Sequence, residues 1–311
     1  MQVNLLVMIS KKQEKESRLS MITHSEVKAY LNRLGISEIK APTKEYLFEL
    51  HKAHVARIPW QTLDIFAGKP TPMDIQYSVQ LLIHQRSGYC FHLNGAFTAL
   101  LRALGYAVSW HKAGVQPLGQ EPRINGFHLG LTVSLMNEEL GEEEPWLVDV
   151  GLGDMPWEPI PLKFGKYAQG PFTYVLEPSG ITDQGWRLIH DPQYSYVGVD
   201  YAPEVVNSLE LFKTNHEFYS RSPESPWMDL LVVRQRHDVG MNELKGCIWR
   251  KWNGSMLDTV EVSSKSEWFE ILADVFYEPL VNYSTLERDQ IWAKVCKHHQ
   301  NWLRLVEDQR S

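Results

Sequence analysis

Between residues 21 and 105 apolar side chains recur at three- and four-residue intervals, the spacing of one face of a helix. Val27, Tyr30, Leu31 and Leu34 form one stripe, ended by Gly35. Tyr46, Leu47, Leu50 and Val55 form another, with Thr43 placed to cap its start and Ile58-Pro59-Trp60 to break it. A third stripe, Leu93, Phe97, Leu100, Leu101 and Leu104, runs to Gly105. From Tyr106 the period changes. Strand candidates follow at 106–115, 127–135, 145–152, 172–178, 185–190 and 194–200, separated by Gly, Pro, Asn and Asp clusters. Their spacing fits a compact antiparallel barrel or sandwich, with the glutamate-rich stretch Asn137 to Pro145 as a solvated hairpin loop. The last third is mixed. Asp229 to Gln235 reads as a strand, and Cys247 to Trp252 with Met256 to Val262 flank Asn253-Gly254, a hairpin signal. Ser264 and Glu267 form a capping box ahead of Trp268, Ile271, Leu272 and Val275, and a final helix spans about Thr285 to Val306. The expectation is an α+β chain: a flexible extension over 1–20, a helical unit over 21–105, a β unit over 106–210 and a mixed α/β unit over 211–311.

Composition narrows the class. The chain has 311 residues and a formal charge of −7, with no basic patch that would suit a nucleic acid. Val3 to Ile9 is apolar but far too short to span a bilayer, and Lys11, Lys12, Lys15 and Arg18 follow it where a secretory signal has its basic residues in front. Met21 is a candidate functional start. Three cysteines, Cys90, Cys247 and Cys296, are too few and too scattered for a disulfide framework or a zinc site, which favours a reducing, cytoplasmic setting. Cys247 and Cys296 sit in apolar or helical contexts and read as packing residues.

Cys90 is different. The stretch Arg86-Ser87-Gly88-Tyr89-Cys90-Phe91-His92-Leu93-Asn94 puts it where a glycine-containing turn enters the third apolar helix. A thiol in the first turn feels the positive end of the helix dipole, which lowers its pKa. His128 follows in the strand-like run Gly126-Phe127-His128-Leu129, and Asp149 in Trp146-Leu147-Val148-Asp149-Val150-Gly151. A carboxylate among valines asks for a donor, and an imidazole on the neighbouring strand of the expected hairpin supplies one. Cys, His and Asp are together the parts of an activated nucleophile.

At these residues the chain resembles the arylamine N-acetyltransferases, from about residue 24 onward. Four blocks carry the resemblance: Ile58-Pro59-Trp60-Gln61-Thr62-Leu63-Asp64-Ile65, Arg86 to Asn94, Gly126 to Leu129, and Trp146 to Gly153. It implies a helical bundle, a β-barrel and an α/β lid, and a catalytic triad of Cys90, His128 and Asp149. It implies ping-pong transfer of an acetyl group from acetyl-CoA, through an acetyl-cysteine, to an arylamine, hydrazine or hydroxylamine, with no metal. Phe91, Phe127 and Leu152 are then candidates for the apolar acceptor walls. Asn125 and Gly126, with Thr214, Asn215, Ser220, Ser222, Ser225 and Trp227 of the lid segment, are candidates for coenzyme A. The chain also departs from the family pattern. Ser87 stands for the first glycine of Arg-Gly-Gly, His92 for a glutamate, Gln61 for an acidic residue and Leu152 for a phenylalanine. Two other readings stay open at this point: a cysteine amide hydrolase of transglutaminase-like type, and a degenerate member that binds coenzyme A without turnover.

Overall fold

The computed structural model describes residues 22–137, 141–192 and 196–308. The expected extension over 1–20 and the candidate start at Met21 lie outside them, as do the first residues of the 194–200 strand candidate and the tip of the 137–145 hairpin.

The helical layer forms where the stripes predict it. Helices span His24–Arg33, Lys44–Arg57, Leu63–Phe66, Ile75–Ile83 and Cys90–Ala103. Thr43 caps the second, its side chain accepting from the Tyr46 N–H, and the first carries a Thr23–Glu26 capping box that the stripe alone did not reveal. The stripe residues are buried in one core, whose centre is the Cys90 helix with Leu93, Phe97, Leu100 and Leu101 fully enclosed.

Thirteen strands are described: β1 Trp60–Gln61, β2 Ala107–Pro117, β3 His128–Asn137, β4 Glu142–Val148, β5 Ile160–Pro161, β6 Gly165–Gln169, β7 Phe172–Pro178, β8 Trp186–Ile189, β9 Tyr196–Val206, β10 Val232–His237, β11 Gly240–Lys245, β12 Ile248–Asn253 and β13 Met256–Glu261. Eight of them pair antiparallel in the order β5-β4-β3-β2-β9-β8-β7-β6, a nearly closed barrel. The other five form a second sheet, β1-β10-β11-β12-β13, packed on the helices Lys265–Glu270 and Thr285–Asp308. The fold is therefore α+β, as the sequence pattern and the family resemblance led one to expect.

Local expectations are corrected in four places. Glu142–Glu144 lie in β4 and are not a loop. That strand ends at Val148, so Asp149 follows it instead of lying within it. The Ser264 capping box does not form; the Ser264 hydroxyl meets Ser266 at 2.9 Å and gives no cap to the helix. The helix that it opens then widens into a π turn over Ile271–Val275.

The antiparallel register brings two strand ends to one rim of the barrel. His128 is the first residue of β3 and pairs with Ala113, while Leu131 pairs with Val148, the last residue of β4. His128 and Asp149 thus emerge at the same end. The Cys90 helix lies against that end, tied by the Trp110 indole N–H to the Thr98 hydroxyl at 2.9 Å and by the Asn94 amide to the Leu129 carbonyl at 2.7 Å.

Candidate active site

Cys90 is the first residue of its helix, after Tyr89 as N-cap. The β4–β5 loop reaches it because residue 151 is glycine: a Cβ there would sit 2.6 Å from the Asn94 amide nitrogen and 3.1 Å from the Cys90 Cα. His128 turns Nε2 toward the Asp149 Oδ2 at 2.5 Å, both side chains being buried. Nδ1 of His128 has no hydrogen-bond partner. The Cys90 thiol donates to the Phe127 carbonyl, one residue before His128, at 3.5 Å.

Asp149 is satisfied on all sides. Its Oδ1 accepts from the Asn94 amide at 2.9 Å and the Gly151 N–H at 2.8 Å, and its Oδ2 accepts from the Tyr201 hydroxyl at 3.2 Å as well as from His128. Burial pushes this carboxyl up, but the His128 imidazole and these donors outweigh it and hold the group below the ordinary carboxylate range. Asn94 also accepts the Val150 N–H at 3.0 Å, so one amide fixes the carboxylate, its loop and the start of β3. Asn94 and Tyr201 complete the site, and neither had been singled out as functional. Asn94 was visible only as the end of the cysteine block; Tyr201, 52 residues beyond Asp149, gives no local signal.

The thiol itself overturns one expectation. Cys90 is 2% exposed, and burial pushes its pKa well above that of an ordinary thiol, more than the backbone N–H groups of Phe91, Leu129 and Cys90 offset. The start of the helix supplies dipoles, but a dry site outweighs them. Aromatic rings close the space around it. Phe127 stacks on Tyr219 with centroids 3.8 Å apart, and Trp227 packs on Phe127, Tyr219, Tyr89 and Trp60 at 4.9–5.6 Å. Phe91 packs on Phe212 at 5.5 Å, and the Tyr89 hydroxyl meets His216 Nδ1 at 2.5 Å. Tyr219, His216 and Trp227 all come from one segment, the helix Lys213–Arg221 and the turn Pro226–Met228.

The remaining candidates fall into three places. Phe91 and Phe127 belong to the aromatic cluster beside Cys90. Leu152 is buried in the barrel interior with Ala113, Tyr174 and Tyr201. Asn125, Gly126 and Asn215 meet at one spot: the Asn215 amide donates to the Asn125 carbonyl at 3.0 Å, and a Cβ on Gly126 would lie 3.1 Å from Lys112 Cε and 3.4 Å from the Asn215 amide nitrogen. Thr214 is exposed on the same helix. Ser222 and Ser225 are spent on the following turns, accepting the Glu224 and Trp227 N–H groups, and Ser220 is buried.

The departures from the family pattern are also placed. His92 is buried and meets the Thr71 hydroxyl at 3.1 Å, and burial pushes its pKa down to about 3. Gln61 donates to the Ser87 carbonyl at 3.1 Å. Ser87 is fully enclosed.

Residues 43–282, most of the chain, match the family model described as N-acetyltransferase. The chain belongs to the arylamine N-acetyltransferase family. It is 36% identical over 129 residues to the arylamine N-acetyltransferase / N-hydroxyarylamine O-acetyltransferase of Salmonella typhimurium, covering 40% of this chain and 43% of the relative. It is 35% identical over 167 residues to the arylamine N-acetyltransferase of Escherichia coli, covering 52% of each. The chain thus spans about half the length of the curated relatives it matches. Among solved structures, arylamine N-acetyltransferase from Salmonella typhimurium superposes with a TM-score of 0.74 at 24% identity, over 88% of this chain and 99% of that one. The Mycobacterium marinum enzyme, solved in complex with CoA, gives 0.75 at 23% identity, over 87% and 98%. These likenesses establish the arylamine N-acetyltransferase fold. No helix among the described residues is long and apolar enough to cross a membrane.

Proposed function

We propose that this chain transfers an acetyl group from acetyl-CoA to an aromatic amine, hydrazine or hydroxylamine by a ping-pong route through Cys90. The observation that carries the reading is the orientation of His128. Its Nε2 is held by a buried carboxylate, and its Nδ1 has no hydrogen-bond partner, so Nδ1 is the atom free to accept a proton. As the sulfur attacks the thioester carbonyl, the thiol proton passes to His128 Nδ1 and the carbonyl π electrons move to oxygen. Collapse of that intermediate expels coenzyme A, which takes the proton from His128. The acceptor nitrogen then attacks acetyl-cysteine, loses its proton to His128 and leaves Cys90 as a thiol again. Because burial keeps the closed-state sulfur protonated, this route uses base catalysis during attack and needs no standing thiolate. The Phe91 and Leu129 N–H groups, which face the sulfur, are the candidate donors to the developing oxyanion.

Coenzyme A suits what surrounds the closed site. Gly126 leaves room beside the Lys112 ammonium stem and the Asn215 amide, a cationic and donor-rich edge next to Phe127 and Tyr219. An arylamine suits the aromatic interior, and its nitrogen stays neutral and nucleophilic near pH 7. The helical layer supplies the sulfur, the barrel the His-Asp pair, and the segment from Lys213 to Met228 most of the aromatic cover. The test is release of coenzyme A from acetyl-CoA with and without a simple arylamine. Release in step with the amine supports transfer, whereas release indifferent to the amine supports a hydrolase, and coenzyme binding without release supports a non-catalytic member.

A further inference from the structure

We propose that Glu278 is a positioning residue for the nucleophile, acting through a buried hydrogen bond to Ser87 in the turn that leads into the Cys90 helix. The inference rests on Cys90 being the nucleophile.

Three residues separate the arginine of the cysteine block from Cys90, and each is tied down. The Ser87 hydroxyl donates to Glu278 Oε2 at 2.9 Å, and the Ser87 carbonyl accepts from the Gln61 amide at 3.1 Å. The Gly88 carbonyl accepts the Gln61 N–H at 2.8 Å, and Gly88 bridges Trp60. Tyr89 then caps the helix with no side-chain cap of its own. The carboxyl that holds this turn arrives from 191 positions away in sequence.

The backbone around Glu278 is shaped for this delivery. Tyr277 and Leu280 hold left-handed φ angles of 53° and 55°, which bulky residues adopt only when the surroundings impose them. The Arg33 guanidinium donates to the Tyr277 carbonyl at 2.8 Å, and the Glu278 N–H donates to the Leu272 carbonyl at 2.8 Å. Glu278 is 2% exposed. The charged and titratable groups facing it are Arg33 from the first helix, Asp64 from the helix Leu63–Phe66, and Arg86 and Tyr283 from adjoining loops. Asp64 already engages Arg86 at 3.0 Å and the Tyr283 hydroxyl at 2.6 Å.

Burial, with the Asp64 carboxylate second, pushes the Glu278 carboxyl up to about 8. At neutral pH it accepts the Ser87 bond as an uncharged acid. Above that value a second negative charge develops beside Asp64 in a dry site. The Ser87 hydroxyl is a donor that favours this charged form, so ionisation tightens the bond that holds the turn.

The experiment compares kcat/KM for acetyl transfer from pH 6 to 9.5 in the wild type, Glu278→Gln, Glu278→Ala, Ser87→Ala and the Ser87→Ala/Glu278→Ala double variant. Glutamine keeps an acceptor for Ser87 and cannot ionise. The wild type should therefore gain on Glu278→Gln as pH rises through about 8, by roughly fivefold at pH 9.5, as a charged acceptor replaces a neutral one. Glu278→Ala should be slower than Glu278→Gln at every pH, and the double variant no slower than the worse single one. A wild-type to Glu278→Gln ratio that stays flat with pH, or fully additive losses in the double variant, overturns the proposal. Alkylation of Cys90 by iodoacetamide, followed by mass spectrometry over the same pH range, applies the same comparison without acetyl transfer. If no variant transfers acetyl groups but alkylation follows the predicted ratio, the reaction assignment fails and the positioning role stands.

Discussion

Asp149 carries the clearest single-residue prediction. Asparagine there would keep the shape but present an amide to His128 Nε2, favouring the tautomer that places a proton on Nδ1. Asp149→Asn should therefore lower kcat by about 10³–10⁴-fold with little change in fold, as such replacements do in serine proteases. A rate within a few-fold of wild type would show that another group orients His128. Tyr201→Phe removes one of four donors to the same carboxylate. A hydrogen bond to a charged group contributes about 1.5–3 kcal/mol, so kcat should drop by roughly 10–100-fold. The His-Asp pair was legible in the sequence because a carboxylate among valines has few ways to be satisfied. Asn94 and Tyr201 were not, since an asparagine inside a helix and a tyrosine in a strand carry no local mark of what they touch. The depressed thiol pKa expected from position at the start of the helix was wrong for a related reason. Burial is a property of the whole assembly, and here it outweighs the dipole.

Strands with alternating or branched apolar residues were readable, and β7 matches its expected span of 172–178. β6, Gly-Lys-Tyr-Ala-Gln, and β11, Gly-Met-Asn-Glu-Leu-Lys, were not, because their own residues are polar or small and pairing supplies their order, β6 against β7 at the sheet edge and β11 between β10 and β12. The segment from Thr214 to Trp227 was read only as a lid resembling that of the family. In the structure it presses Tyr219 and Trp227 onto Phe127 and Tyr89 and so closes the site over the sulfur. Access to Cys90 then requires this segment to move. Trp227→Ala should leave the fold intact and speed alkylation of Cys90 by at least roughly tenfold, the change that about 1.4 kcal/mol of lost closure energy produces. An unchanged alkylation rate would place the route to the sulfur elsewhere.

Across the whole molecule, buried titratable groups set opposite slopes for stability against pH. Burial pushes His51 to about 4, His92 to about 3 and His190 to about 4. The unfolded chain binds protons at these histidines below its ordinary histidine pKa of about 6.5, so stability is lost as pH falls from there. Burial pushes Asp154 up to about 7 and Glu278 to about 8. The folded chain keeps those protons where the unfolded chain releases them, so stability is lost as pH rises from about 4.5 to 8. The histidines outnumber the acids where the two ranges overlap, which puts the maximum Tm near pH 6.5, within roughly a unit. Glu278→Gln should raise Tm on the alkaline side, by an energy on the order of a few kcal/mol near pH 8 and above. A Tm that climbs steadily to pH 9 would contradict this assignment. The C-terminal helix Thr285–Asp308 was expected from its pattern, but its role was not visible. Its Lys294 donates to the Phe66 and Met228 carbonyls at 2.8 and 2.6 Å, anchoring the chain next to Trp227.

In the proposed reaction one cysteine carries the acetyl group between donor and acceptor. Mass spectrometry of the intact and digested protein, after exposure to acetyl-CoA alone and again after adding an arylamine, tests it most directly. An acetyl group should appear on Cys90, be absent from Cys90→Ala, and be discharged by the amine as the acetylated amine forms. No adduct, an adduct on another residue, or a Cys90 adduct that the amine leaves in place would contradict it.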